Sequence, residues 1–119
     1  MSTPTVKDYD AKVCNDKIAT ILSGQTTSDE IDLNGTTLCG FHLPAAITGT
    51  TLKITAASAA GGTFNTVQSA GADYSLTIAA SKYVPIENLA IVSGLRFIKI
   101  VSGSSEGADR LVGIATRSV

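Results

Sequence analysis

The sequence predicts an all-β protein: an antiparallel β-sandwich, jelly-roll-like, of about eight strands, with an N-terminal arm at residues 1–16 and the sandwich domain at 17–119. Three observations predict it. Apolar residues recur with a period of two in short runs, the pattern of strands with one buried face. Gly, Asn, Ser and Pro break the 119-residue chain at intervals of about ten residues, the spacing of a sandwich or small barrel. Helical periodicity is absent from the body of the chain, and no repeat of about 20–50 residues stands out. A jelly roll suits this number of strands. The immunoglobulin type does not, because its buried Trp and cysteine pair are missing.

The elements follow in chain order. Residues 1–16 match neither period and contain Pro4 and several charges, so they read as an arm that buries too little to order itself. Lys17-Ile18-Ala19-Thr20-Ile21-Leu22 reads as a first strand, ended by Ser23-Gly24, with a helical turn or two over Asp10 to Leu22 as the alternative. Glu30-Ile31-Asp32-Leu33 and Thr36 to Leu43 flank Asn34-Gly35, the strongest short hairpin signal, since both residues accept positive φ. In strict alternation Thr37, Cys39, Phe41 and Leu43 take one face and Leu38, Gly40 and His42 the other, and Pro44 ends the strand.

Thr51 to Ala56 is the next strand, with Leu52, Ile54 and Ala56 inward. Gly61-Gly62 turns the chain into Thr63–Val67, and Gly71 precedes Asp73–Ile78. Lys82–Ile86 is short and holds Pro85, which places it at a sheet edge. Leu95–Val101 is the most hydrophobic run and fits a central strand. Residues 102–108 form a loop by composition, and Asp109–Ser118 is the last strand, around Leu111, Val112 and Ile114. The expected core is Phe41, Leu52, Ile54, Leu76, Ile98 and Ile114, with Cys39 beside them and Tyr74 buried.

Composition narrows the function. Only 16% of residues are charged, against about 25% in an ordinary globular domain, so the surface is built from small polar residues that an assembly easily covers. Net charge is −1 and no basic patch is visible beyond Arg96-Phe97-Ile98-Lys99, so no nucleic-acid partner is expected. No run approaches the ~20 apolar residues of a membrane span, and residues 1–8 lack the apolar core of a signal peptide. Synthesis and folding in a host cytoplasm are expected, with Cys39 a small buried hydrophobe rather than half of a disulfide framework with Cys14.

No constellation of catalytic residues emerges. His42 is the single histidine and no Gly-x-Ser-x-Gly elbow surrounds any serine, so it reads as a surface or interface residue. Asp29, Glu30 and Asp32 are the one carboxylate cluster. It lacks the Asp-x-Asp-x-Asp-Gly loop that encloses Ca²⁺. Two Cys and one His fall short of a closed zinc site. Ser58 to Thr63 lacks the lysine of a phosphate loop and reads as a β-turn. The expectation is therefore no enzyme, no catalytic, cofactor-binding or metal residues, and no cofactor.

The order of motifs is Ile-Ala-Thr-Ile-x-Ser-Gly, Glu30 to Gly35, Leu38-Cys39-Gly40-Phe41-His42-Leu43-Pro44-Ala45-Ala46, Leu95 to Gly103, and Ala108-Asp109-Arg110. It resembles small structural proteins encoded in the morphogenesis regions of tailed bacteriophages, over about residues 17–117. The resemblance implies a virion protein, a β-sandwich attached to the head, neck or tail. One departure is the longer, more apolar stretch Ala56–Gly62, where such proteins often carry a Ser-Ala-Asp-Gly-like turn. That loop is expected to serve a contact, and the arm lies outside the resemblance. The reading that follows is a capsid decoration, or cement, protein located on the virion surface. Its partners would be the major capsid protein and further copies of itself, as a homo-oligomer such as a trimer. The alternative is a neck or tail appendage or a glycan-binding virion protein. For the latter, exposed tyrosines in a concavity would be needed from Tyr9, Tyr74 and Tyr83.

Overall fold

The computed structural model describes residues 14–118. Of these, 47% lie in strands and 3% in a helix, and the strands pair antiparallel throughout. The protein is an all-β, sandwich-like domain. One sheet holds β1 (Cys14–Ile21), β11 (Arg110–Arg117), β3 (Thr37–His42) and β9 (Tyr83–Pro85), in that order. The other holds β2 (Ile31–Asp32), β10 (Phe97–Ser102) and β4 (Thr51–Ala57), with β5 (Asn65–Thr66) and β8 (Ser75–Thr77) both on β4's far side. A small hairpin, β6 (Gln68–Ser69) with β7 (Ala72–Asp73), and one 3-10 turn, Leu89–Ile91, complete it. We call the two main layers sheet A and sheet B. Among the described residues no helix is long and apolar enough to cross a membrane.

The period-two pattern explains the core. Phe41, Val112 and Ile114 project from sheet A, and Leu52, Ile54 and Ile98 from sheet B, all fully buried between the layers. Five of the six expected core residues are there. Leu76 is half-buried, packing at the core's margin, and so is Tyr74. Leu95–Val101 reads correctly as central: β10 lies between β2 and β4, although the strand begins at Phe97. Pro85 sits on an edge strand as expected.

Three expectations are corrected. The strand after the turn does not alternate strictly. Ala115 and Thr116 pair with Gly40 and Leu38, so Cys39 is skipped as a one-residue bulge. The bulge lets both Leu38 and Phe41 face the core and leaves Cys39 half-buried. The Asn34-Gly35 turn forms, with φ of 50° and 78° and a Thr36 N–H to Leu33 O bond of 3.0 Å. It makes no hairpin, however: β2 pairs with β10 and β3 with β11, so the turn is a corner between the sheets. Finally, β1 begins at Cys14, and residues 14–16 pair with Arg117, Thr116 and Ala115. That part of the expected arm is strand. Residues 1–13 lie outside the described residues.

The two long sides of the sandwich differ. Beside β1, Asp29 N–H donates to Thr20 O at 3.2 Å and Asp29 Oδ1 accepts from Thr20 N–H at 2.8 Å, stitching the layers together. On the opposite side β8 and β9 are edge strands, and a groove opens between them.

Candidate interaction surface

The groups singled out for chemistry are held apart. Asp29 caps Thr20, Glu30 Oε1 accepts Gly61 N–H at 2.9 Å, and Asp32 receives Arg96 Nε at 2.7 Å and Asn34 N–H at 2.8 Å. Each carboxylate is thus engaged separately. Arg96 holds the Asp32 carboxyl below its ordinary range through this bond and its charge. Among the described residues, no three His, Cys, Asp or Glu side chains gather as a metal site would need. Ser58–Thr63 is a turn, closed by Gly62 N–H to Ala59 O at 3.0 Å.

The strongest polar site is one that sequence reasoning passed over as loop. Glu106 is 1% exposed. Its Oε1 accepts from Thr48 N–H at 2.8 Å and Arg110 Nε at 2.9 Å, and its Oε2 from Gly49 N–H at 3.0 Å and Ser102 Oγ at 2.7 Å. Its backbone meets Gln25 O and Gly24 N–H at 3.0 and 2.7 Å. One residue therefore clasps three connections at one end of the sandwich, residues 48 and 49 through its carboxylate and residues 24 and 25 through its backbone. Burial alone would raise its pKa, but the four donors outweigh burial and hold it at about 2 instead of 4.5. Four donors saturate both oxygens, so this carboxylate is a clasp and has no lone pair to offer a substrate. The approach is so close that a Cβ on Gly49 would collide with Ser102 Oγ. A signal existed in the sequence: Glu106 and Arg110 stand four apart in a loop otherwise made of Ser, Gly, Ala and Asp.

The outer face of sheet A is the distinctive surface. Register puts Ile18, Gly113, His42 and Tyr83 in one row across four strands, with Leu111 in the next row and Ala115 and Gly40 on the other side. Ile18, Leu111 and Tyr83 are 51%, 56% and 45% exposed, and Leu22, just past β1, is 56% exposed. The His42 and Tyr83 rings touch, with centroids 4.5 Å apart. Tyr83 lies over Gly40, where a Cβ would strike its ring, and His42 leans on Gly113. Small residues thus form a floor beneath the two rings, whose planes are tilted 43° to each other. His42, read as a surface residue, is exposed here. Leu111, grouped with the core strand, is not core: Val112 and Ile114 share the inward parity, so Leu111 faces out.

Sheet B's outer face is more polar. Lys53 pairs with Asp73 at 3.2 Å and Arg96 with Asp32, while Lys99 lies 4.6 Å above the Phe64 ring and Arg96 4.9 Å above Phe97. Compared with family models, curated proteins and solved structures, the chain matches none.

Proposed function

We propose that the protein is a virion structural component, a capsid decoration protein that binds and reinforces the assembled head of a tailed phage through the outer face of sheet A. One observation carries this reading. A four-stranded face exposes Ile18, Leu111, Tyr83 and His42 over a floor of small residues, and its charged members, Asp16 and Arg117, lie toward one end. An aromatic anchor on a flat, weakly hydrated face is what protein interfaces favour, and an attachment patch of about 800 Å² per partner is the standard size. The strand order supports the jelly-roll form. Counting only the eight principal strands, sheet A runs first, eighth, third, sixth and sheet B second, seventh, fourth, fifth, the double Greek key common among capsid proteins.

Co-sedimentation with purified DNA-free heads tests the reading. The double variant Ile18→Asp, Leu111→Asp should keep its circular dichroism and lose attachment by at least about tenfold, or ~1.4 kcal/mol. Equal attachment would rule out this face. An electron-microscopy map of the virion separates a head position from the neck or tail appendage.

A further inference from the structure

The groove between the free edges of β8 and β9 holds about 480 Å³. Its walls are Tyr74, Leu76, Val84 and Ile91, with Glu87 at its rim. Glu87 has no ion-pair partner among the described residues. Tyr74 feels it: burial first, and then the Glu87 charge, push the Tyr74 hydroxyl pKa up. Ile78 N–H bonds Thr50 O, so by alternation Ser75 and Thr77 turn their backbone groups away from β4, toward the open side. No strand pairs with β8 there among the described residues. The site offers one unfilled strand position, an apolar trough and one uncompensated negative charge.

We propose that the groove receives the N-terminal segment of a second copy, residues within 1–13, as an added strand on β8. In an extended segment Lys7, Tyr9 and Ala11 share one face, Tyr9 and Ala11 for the trough and Lys7 for Glu87, while Asp8 and Asp10 turn the other way. It joins the fold at β1, on the opposite edge of sheet A from β9, three strand spacings or about 14 Å away. Thirteen extended residues span up to about 43 Å, enough to reach a neighbour. Because the segment leaves one side and the groove lies on the other, the contact is head-to-tail. Repeated about a rotation that closes, such a contact builds a ring. Main-chain bonds along the edge supply affinity, and the trough and Glu87 supply selectivity. The inference concerns self-association and stands apart from attachment to a head.

Sedimentation velocity of the full-length chain from about 1 to about 100 μM, a range that reads micromolar association, is the test. The full chain should form a closed oligomer. Glu87→Lys and Lys7→Glu should each weaken association about tenfold, and the two together should restore it to within about threefold. A synthetic peptide of residues 1–13 should dissociate the oligomer and shift the Ser75 and Thr77 amide resonances. A chain that stays monomeric, a Glu87→Lys variant that associates normally, or peptide shifts confined elsewhere overturns the proposal. So does a groove whose resonances move with oligosaccharides and ignore the peptide.

Discussion

Glu106 shows how much a single side chain can hold at once. Its folded pKa of about 2 lies below the ordinary 4.5. The contribution is therefore complete above pH 4.5 and is lost as pH falls toward 2. A difference of that size corresponds to about 3 kcal/mol. Denaturant midpoints measured from pH 6 down to 2 should fall steeply below 4.5 in the native chain and more shallowly in Glu106→Gln. At neutral pH, Glu106→Ala should cost about 3–5 kcal/mol, because it strands Arg110, which is 17% exposed, without its partner. Phe41→Ala removes a fully buried ring from the middle of sheet A and should cost about 3–5 kcal/mol by urea denaturation. A loss below about 1 kcal/mol would contradict Phe41's placement in the core. The burial of Phe41 could be read from alternation alone. That of Glu106 could not, because a carboxylate is predicted outside unless its donors are known, and here two of them, the Thr48 and Gly49 amides, stand 58 and 57 residues away.

Among the elements, the strands were legible where one face is dry and the other wet. Residues 51–55 and 97–102 alternate cleanly, and both are legible as strands. Local pattern is silent where geometry depends on a partner. The bulge at Cys39 is set by the register of β11 against β3, which no local pattern encodes. The Asn34-Gly35 turn was legible as a turn, but its role as a corner depends on β10 capturing β2. Part of that capture is a substitute for backbone: Ser28 Oγ accepts Ile100 N–H at 3.0 Å where the ladder is interrupted. Gly35→Ala forces a side chain into φ of 78° and should destabilise the chain by about 1 kcal/mol, read by thermal melting. The candidate face was half-legible. Ile18 and Leu111 were visible as strand residues, yet their outward parity was fixed only once their neighbours' direction was known. Deletions should likewise respect the first strand. Removing residues 1–13 should leave circular dichroism intact, whereas removing 1–16 strips the pairing of Cys14, Asn15 and Asp16 and should lower the melting temperature.

At the scale of the whole molecule, the first strand lies against the last. β1 and β11 pair along eight residues, from Cys14 with Arg117 to Ile21 with Arg110. Nearly the entire chain must emerge before sheet A can close, so folding on the ribosome should stall at a two-layer intermediate lacking that strand pair. In refolding by stopped flow the rate should be slow, as for other sandwiches of non-local contacts. The same pairing has a mechanical consequence. The two ends of the strand pair, residues 14 and 117, face each other across one pair of backbones. A force applied between the chain's ends would load the ladder at that point and open its rungs one after another, as a zip opens, rather than shearing all of them together. Pulled by its ends, the domain should yield at low force. Load applied through the flat of sheet A would meet every rung in parallel.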